Sequence, residues 1–276
     1  MKLSKNIQTI HDIDWVELRK RAMAQKSRKQ KSSKEWDTRA NSFAKRVQHN
    51  DYINLVIEHL PLESGTTLLD IGCGPGTLAL PIAEKIKQVT ALDFSKKMIE
   101  LLLEQAQHHA IVNIKALQLA WEDDWEAAEI ELHELTLASR STAVEDLPAA
   151  LKKLNSYATK AVFLTDRISP TPFEPEAFET VDIEFAPGPY YIYTLNILYD
   201  MGITADVRIL EFDKIKTYNS IGDALEGFLW MFDELEDKQL RRLEKYVESI
   251  SDKMDDGSII VNRKTPPRWA LLSWQK

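Results

Sequence analysis

The stretch Thr66-Thr67-Leu68-Leu69-Asp70-Ile71-Gly72-Cys73-Gly74-Pro75-Gly76-Thr77 decides the fold class of this chain. Its first half, residues 66–71, is a short apolar run rich in leucine and β-branched residues, which is typical of a buried strand. Three glycines follow, and the pattern over residues 78–86 predicts a helix. Because glycine has no Cβ atom, the backbone of such a turn can approach a ligand closely. The stretch therefore predicts a strand, a ligand-binding turn and a helix.

The alternation of strand and helix continues along the chain. Residues 89–92 predict a second buried strand that ends at Asp93, and Ser95 is placed to cap a helix over residues 96–108. Such alternation requires parallel pairing with right-handed crossovers. Further strands are predicted at residues 113–119, 131–138, 160–165, 205–212 and 268–274. We therefore expect an α/β fold with a doubly wound, mostly parallel seven-stranded sheet.

Helical patterns before the sheet and before its last strand suggest two appendages. Trp36, Ala40, Phe43 and Val47 recur at helical spacing, and residues 221–254 are strongly helical in pattern. We expect a helical arm or lid over residues 1–50 and a sheet core over residues 51–219. A helical insertion over residues 220–257 and a last strand within residues 258–276 complete the predicted organisation.

Composition bounds the class of protein. The chain has 276 residues, of which 44% are hydrophobic, enough for one substantial core. No apolar stretch approaches the roughly 18 residues that span a bilayer, and the N-terminus lacks the apolar core of a signal peptide. The single cysteine, Cys73, excludes an internal disulfide and a cysteine-based zinc cluster. These features predict a soluble, cytoplasmic protein that neither enters a membrane nor holds a metal.

Charge is distributed unevenly along the sequence. Residues 1–50 hold 13 Lys and Arg against 5 Asp and Glu, a net charge of +8, whereas the whole chain has a net charge of -8. The densest basic run comprises Lys26, Arg28, Lys29, Lys31 and Lys34. Such a run can bind phosphate or nucleic acid, or it can form a solvated arm that lies against the acidic body. No aromatic residue interleaves it, which favours the solvated arm.

The glycine turn and Asp93 together predict an adenosine site. A carboxylate at the tip of the second strand is placed to reach the ribose hydroxyls of a ligand held at the turn. Dinucleotide sites need the third glycine three positions after the second, but here Gly76 follows Gly74 by two. The chain also lacks the Gly-Lys-Ser/Thr ending of a phosphate loop. NAD, ATP and GTP are therefore disfavoured, and the cofactor is expected to be another adenosine compound.

The segment Asp70 to Thr77 resembles the first motif of the class I S-adenosylmethionine (SAM)-dependent methyltransferases, and Ala91-Leu92-Asp93-Phe94-Ser95 resembles their second-strand motif. Within the class, the aromatic helix ahead of the core looks most like the ubiquinone-biosynthesis type that acts on small molecules. The resemblance implies a Rossmann-like fold, in which the last strand of the seven-stranded sheet is antiparallel, with SAM as cofactor. It implies that Gly72 and Gly74 face the methionine part, that Asp93 holds the ribose and that Phe94 lies against the adenine.

The third strand departs from the family pattern. An Asp often binds the adenine amino group there, but the aligned position is Ala120, and the neighbouring Trp121 either stacks on the adenine or belongs to the core or rim. Seen with the resemblance, the expected cofactor-binding residues are Asp70, Gly72, Cys73, Gly74, Thr77, Asp93, Phe94, Trp121 and Ser139. Cys73 is expected to fill space beneath the turn rather than act as a nucleophile.

Acceptor contacts are expected along the same sheet edge. Arg140, after the fourth strand, can pair with a carboxylate or phosphate of the substrate, or form a surface salt bridge. Tyr190 and Tyr191 can line an acceptor pocket, and Trp36 and Phe43 can close it from the predicted lid. No general base can be assigned, because His133 is expected mid-strand and His108 and His109 on a helix.

These features predict a methyltransferase, a transferase that moves the methyl group of SAM to a small molecule. No Asn/Asp-Pro-Pro-Tyr type sequence follows the fourth strand, which disfavours amino groups of adenine or glutamine as acceptors. Two alternatives stay open at this point, an RNA methyltransferase that uses the basic arm and a SAM-binding protein without catalysis. Association into a homodimer also stays open.

Overall fold

The computed structural model describes residues 8–26, 31–47 and 51–276 of the chain. Its main feature is a seven-stranded sheet with the strand order β3-β2-β1-β4-β5-β10-β6. The strands are β1 (Thr67–Ile71), β2 (Gln88–Asp93), β3 (Ile114–Gln118), β4 (His133–Ser139), β5 (Ala158–Arg167), β6 (Asp206–Glu211) and β10 (Arg268–Gln275). The pairs from β3 to β5 are parallel, and β10 is antiparallel to both β5 and β6. The predicted fold class is confirmed.

Helices cover both faces of this sheet, as its apolar strands require. They are α4 (Ala79–Ala83), α5 (Lys96–His108), α6 (Leu147–Ser156) and α8 (Tyr191–Asp200). One buried cluster contains Ile82, Leu102 and Leu137, and a second on the opposite face contains Leu69, Trp125 and Leu272. The predicted helix over residues 78–86 is shorter than expected, because regular helix ends at Ala83.

The strand order places the glycine turn at a point where ligands bind in open α/β sheets. From β1 the chain continues to β2 and β3 on one side, and it then returns to β4 and β5 on the other side of β1. The connections that follow β1 and β4 therefore lead away from each other. A crevice opens where such crossovers diverge, outside the carboxyl ends of the strands. The loops after β1 and β4, residues 72–78 and 140–146, therefore border the same crevice.

Three N-terminal helices lie beside this edge of the sheet. They are α1 (Trp15–Gln25), α2 (Ser33–Val47) and α3 (Asp51–Ile57), preceded by a 3-10 turn at Ile10–Asp12. Arg19 of α1 is buried, and its guanidinium donates to the carbonyl oxygens of Thr142 and Val144 at 2.9 Å each. Helix α2 packs on α5 through Ala40, Met98 and Leu101. Of the predicted features in this arm, Arg28 and Lys29 and the side chain of Val47 lie outside the described residues.

The segment between β6 and β10 forms a small unit of its own. It contains β7 (Ile215–Tyr218), α9 (Ile221–Leu229), α10 (Asp237–Ser249), β8 (Ser251–Lys253) and β9 (Ile259–Asn262). The three strands form an antiparallel sheet in the order β7-β9-β8. The expectation of a purely helical segment was therefore wrong at residues 251–253, which pair with β9. Short, exposed strands such as these lack the apolar alternation by which strands are recognised.

The long connection after β5 packs against this unit. It contains α7 (Pro175–Thr180), whose Ala177 and Phe178 join Phe228, Phe232 and Leu243 in a third buried cluster. The small unit, which we call the cap unit (residues 215–262), thus faces the carboxyl end of β5. Across the described part of the chain, every helix is too short or too polar to span a bilayer.

Candidate functional site

A cavity of about 1090 Å³ lies between the carboxyl ends of the strands, helix α2 and the cap unit. All nine predicted cofactor residues line it: Asp70, Gly72, Cys73, Gly74, Thr77, Asp93, Phe94, Trp121 and Ser139. We call this part of the cavity the cofactor end. The remaining part, bordered by Arg140, Arg167, Phe173, Trp230 and Trp269, is the acceptor end.

The glycine turn is held against the neighbouring strand by its own backbone. The N–H groups of Gly72 and Cys73 both donate to the carbonyl oxygen of Leu92, at 2.7 and 3.0 Å. Gly72 has a φ of 72°, and a Cβ atom there would lie 2.3 Å from Cβ of Ser141. Ser141 in turn donates its hydroxyl to the carbonyl oxygen of Ile71 at 2.6 Å. Glycine at position 72 therefore lets the loop after β4 pack onto the turn.

Gly74 differs from Gly72 because it faces open space. Its φ is 57°, a region that side chains disfavour, and the nearest atom to an added Cβ would be Cε1 of Phe43 at 3.8 Å. A ligand lying over Gly74 would thus have the peptide backbone below it and the ring of Phe43 nearby. This is the cradle that the methionine part of SAM requires.

Asp93 is positioned by two backbone donors. The N–H of Gly74 donates to its Oδ2 at 2.9 Å, and the N–H of Ser95 donates to its Oδ1 at 2.8 Å. Burial raises the pKa of Asp93, while these two hydrogen bonds act in the opposite direction. Each carboxylate oxygen can accept more than one hydrogen bond. The carboxylate therefore keeps acceptor capacity for a pair of ribose hydroxyls.

Asp70 is a buried carboxyl group with an unused oxygen. Its side chain is 1% exposed, and Oδ1 has no hydrogen-bond partner among the described residues. Burial, and then the charge of Asp93, raise the pKa of Asp70 to about 7. A buried polar atom without a partner is costly unless a ligand satisfies it. The α-ammonium group of a bound SAM is a donor of the right charge, so the residues present fit this cofactor.

Cys73 lies beneath the turn. Burial, and then the charges of Asp70 and Asp93, hold the pKa of its thiol well above the usual value. A thiol that stays protonated is a poor nucleophile. The environment of Cys73 agrees with a space-filling role.

The adenine end of the site is built from the loops after β2 and β3. Phe94 is 36% exposed and Trp121 is half-buried, and both line the cavity beside Leu119 and Ala120. The indole N–H of Trp121 donates to the carbonyl oxygen of Ser141 at 3.1 Å. Trp121 is therefore a fixed wall of the cavity as well as part of the rim, where it also contacts Trp125 with ring centroids 5.7 Å apart.

Position 120, where the family often has an Asp, is occupied by alanine. The carboxylate of Asp123 is near in sequence, but it accepts the backbone N–H of Ala120 at 2.7 Å and does not line the cavity. Glu122 does line it. Adenine contacts at this edge are thus limited to the apolar and aromatic faces of the loop, its backbone groups and Glu122.

Ser139 and Arg140 end β4 at the boundary between the two ends of the cavity. The hydroxyl of Tyr52 lies 2.6 Å from the hydroxyl oxygens of both Ser139 and Thr165. The guanidinium carbon of Arg140 lies 3.9 Å from the ring centroid of Tyr52 and 5.4 Å from that of Trp269. Arg140 forms no ion pair with any described residue, so the surface salt bridge considered above is not formed. Tyr52 is a cavity residue that the sequence did not reveal, because Tyr52 and Val56 also fit the buried face of a helix.

The predicted acceptor contacts are only partly brought together. Trp36 and Phe43 line the cavity from α2 with ring centroids 5.5 Å apart. Tyr190 and Tyr191 do not line it, which corrects their expected place in the acceptor pocket. Tyr190 precedes α8 and contacts Tyr193, while Tyr191, the first residue of α8, packs against the second buried cluster. Their positions follow from the amphipathic helix that they begin.

The histidines considered as bases lie away from the cavity. His133 is buried, with Nε2 2.8 Å from the hydroxyl of Thr90 and Nδ1 2.8 Å from the carbonyl oxygen of Glu131. His108 and His109 are at the end of α5 and contact each other. Within the described ranges, no three His, Cys, Asp or Glu side chains meet in a metal-binding group.

The sequence is similar to proteins of known and unknown activity. Residues 62–180 match the family described as "Methyltransferase domain". An uncharacterized protein of Haemophilus influenzae is 29% identical over 269 residues, covering 96% of this chain and 98% of that protein. A 2-phytyl-1,4-naphtoquinone methyltransferase of Trichormus variabilis is 28% identical over 123 residues, 41% of this chain and 51% of that enzyme. The chain thus aligns with about half the length of the quinone enzyme.

The fold also matches solved structures. A putative methyltransferase from Bacillus halodurans superposes with a TM-score of 0.57 at 13% identity, covering 82% of this chain and 99% of that one. At that identity the likeness concerns the fold. The family match includes the segment that carries the glycine turn, Asp70 and Asp93.

Proposed function

From the class I SAM-dependent methyltransferase domain that this chain carries, we propose that it transfers a methyl group from SAM to a small molecule bound at the acceptor end of the cavity. One observation carries the proposal. The cofactor end and the acceptor end belong to one continuous cavity of about 1090 Å³, which exceeds the usual range for a single small ligand of about 300–1,000 Å³. A cofactor and an acceptor can therefore lie side by side.

When bound, SAM would supply a sulfonium-bound methyl group, which passes to a nucleophilic atom of the acceptor as the carbon–sulfur bond breaks and S-adenosylhomocysteine leaves. The chain's own residues have two tasks in such a reaction, alignment and exclusion of water. The turn at Gly74 and the carboxylates of Asp70 and Asp93 fix the cofactor from below. Phe43 and Trp36 close the same space from α2 and keep water away from the reacting atoms.

The size and lining of the acceptor end favour a small molecule over a nucleic acid. Two residues of the basic run, Lys26 and Lys31, line the cavity. The naphtoquinone methyltransferase of Trichormus variabilis supports the same direction, because its name states a small-molecule acceptor. We also propose that the enzyme is cytoplasmic and binds neither membranes nor RNA. Direct measurement of its oligomeric state tests whether it associates with itself.

The experiment that tests the proposal is calorimetric titration of the full chain with S-adenosylhomocysteine (SAH), together with mass spectrometry of ligands that copurify. We expect binding in the micromolar range and a copurified mass equal to SAM or SAH. Tight binding of NAD, or no binding of SAH by the folded chain, overturns the assignment. RNA binding that weakens with salt, and that small molecules do not compete away, favours the RNA methyltransferase alternative. Such salt dependence is expected because contacts to RNA phosphates release counterions.

A further inference from the structure

Three cationic side chains border the acceptor end of the cavity. Lys26, Arg140 and Arg167 all line the cavity. A Cβ atom added to Gly188 would lie 2.9 Å from Cβ of Lys26 and 3.3 Å from a guanidinium nitrogen of Arg167, so these two side chains are neighbours. Arg167 is also the sheet partner of Trp269, whose ring is next to Arg140. We call these three residues the cationic corner.

The charges of the cationic corner are poorly compensated. Among the residues that the structure describes, the Lys26 ammonium group donates to the sulfur of Met23 at 3.9 Å, and the guanidinium of Arg140 lies against the rings of Tyr52 and Trp269. Among the described residues, neither forms an ion pair with a carboxylate. Arg167 donates to the carbonyl oxygens of Pro187 and Pro189 at 2.7 and 2.9 Å. The nearby carboxylate of Asp166 is already bonded to Thr194 and to the backbone of Arg167.

The surroundings make this excess of positive charge costly in the empty cavity. Burial lowers the pKa of Lys26, and the charges of Arg167 and Arg19 lower it further. Arg140 also adopts a φ of 56°, an uncommon backbone conformation for a residue other than glycine. Backbone strain of this kind is concentrated at ligand-binding sites. An anionic group bound at the cationic corner would reduce the repulsion between these positive charges. Binding that group would also account for the strained backbone of Arg140.

The walls next to the cationic corner are flat and aromatic. Phe173 and Trp230 stack with ring centroids 5.4 Å apart, and the guanidinium carbon of Arg167 lies 5.8 Å from the Phe173 ring. Trp269 and Tyr52 border Arg140 on the sheet side. Aromatic walls favour a planar apolar body, because rings stack on or against one another at these separations.

We propose that the acceptor is a planar, apolar molecule that carries one anionic group, a carboxylate or a phosphate, and that Arg140 and Lys26 bind this group. This inference rests on the proposed function only in treating the bound molecule as the methyl acceptor. The anion site itself is a property of the cavity. Arg140 offers a forked pair of donors, which suits both carboxylate and phosphate. Lys26 adds a point charge, and Arg167 holds the loop at residues 187–189 in place.

Matched planar probes test the anion site on the full chain in saturating SAH. The probes are 2-naphthoate, 2-naphthyl phosphate and the neutral 2-naphthamide, each titrated by calorimetry. We expect at least one anion to bind at least tenfold more tightly than the amide, since charge-assisted hydrogen bonds are the stronger kind. The better of the two anions identifies the group. Equal affinities for anions and amide, or no anion binding while SAH binds, overturn the proposal.

Substitutions separate recognition of the anion from general packing. Arg140→Gln and Lys26→Met should each abolish most of the preference for the anion, while binding of the amide and of SAH changes less than twofold. Arg140→Lys should restore part of the preference. The matched control is Arg208→Gln, which removes an exposed charge on β6 outside the cavity and should change nothing. A preference that survives both substitutions excludes the cationic corner as the binding group. If SAH does not bind the wild-type chain, the proposed function is contradicted. The probes can then be titrated without SAH, so the anion site is still tested separately.

Discussion

The hydroxyl of Ser95 donates to the carboxylate of Asp37 across a distance of 2.6 Å, which joins helix α2 to the first turn of α5. The N–H of Lys97 donates to the same carboxylate oxygen at 3.1 Å, so Asp37 caps α5 from outside. Ser95 also donates its backbone N–H to Asp93. The position of α2 and the position of the Asp93 carboxylate are therefore linked through one residue, Ser95.

We expect this link to make α2 respond to the cofactor. Amide hydrogen exchange over residues 34–47 should slow when SAH is added, because Phe43 and Trp36 then pack on a filled site. Asp37→Ala should speed exchange in the same segment and weaken SAH binding several-fold, whereas the exposed Asn41→Ala on the same helix should do neither. Equal exchange with and without SAH would identify α2 as a fixed brace, leaving closure to the cap unit.

Substitution of Gly74 tests the role of the glycine turn, and the same substitution at Gly65, which lies outside the turn, is its control. Gly74→Val should lower SAH affinity at least tenfold, because the branched side chain enters the cradle and the positive φ adds about 1–2 kcal/mol of strain. Gly65 has no atom within 4 Å of an added Cβ and no positive φ, so Gly65→Val should bind SAH normally. Calorimetry and thermal unfolding measure both variants. Unchanged affinity in a folded Gly74→Val protein would remove the turn from the cofactor site.

Asp93→Ala removes the carboxylate that is placed for the ribose. We expect SAH binding to weaken by about 1.5–3 kcal/mol, the range for a hydrogen bond to a charged group. Asp93→Asn keeps an acceptor oxygen and should lose less. Calorimetric dissociation constants of the two variants give the comparison, and an alanine variant that binds as tightly as the wild type contradicts the assigned contact.

Asp70 should make cofactor binding depend on pH near neutrality. Its pKa is raised from the usual 3.8 to about 7, so the carboxyl group is neutral below that pH and charged above it. Only the charged form attracts an ammonium group, and affinity for SAH should therefore rise between pH 5.5 and 8. Asp70→Asn should flatten this dependence. A wild-type affinity that is constant with pH, or the same slope in the variant, contradicts the prediction.

The same raised pKa has a consequence for stability with a definite sign. The folded chain binds the proton of Asp70 more tightly than the unfolded chain does, so this group stabilises the fold fully below about pH 4 and loses that contribution as the pH rises through about 7. Asp70→Asn removes the buried charge. The free energy of unfolding at pH 8, measured by denaturant titration, should thus be higher in the variant than in the wild type.

Sequence patterns were sufficient for the sheet and the cofactor end because the information there is local. Apolar runs, the glycines and Asp93 lie within one stretch of strand, turn and helix, and each strand that they predict is present. The existence of β10 could also be predicted from its apolar run. Helix α5 begins at the residue after Ser95, whose hydroxyl accepts the N–H of Met98 as a cap should.

Apart from Arg140, the acceptor end could not be predicted, because its contacts join distant parts of the chain. Tyr52 meets Ser139 and Thr165 across 87 and 113 residues, and no local pattern marks such a pairing. Tyr190 and Tyr191 were misplaced because an aromatic cluster after a strand has the same composition in a pocket as in the first turn of a core helix.

Strand β10 has a consequence for how the protein is made. It lies between β5 and β6, yet both of those strands precede it by more than fifty residues, and it carries Trp269 beside Arg140. Chains emerge from the ribosome N-terminus first, at about 5–20 residues per second. The cofactor end can assemble on a nascent chain as soon as β4 has emerged, but the acceptor end must wait for residues 268–275. A growing polypeptide would therefore acquire its nucleoside site before it acquires the wall against which a second reactant rests.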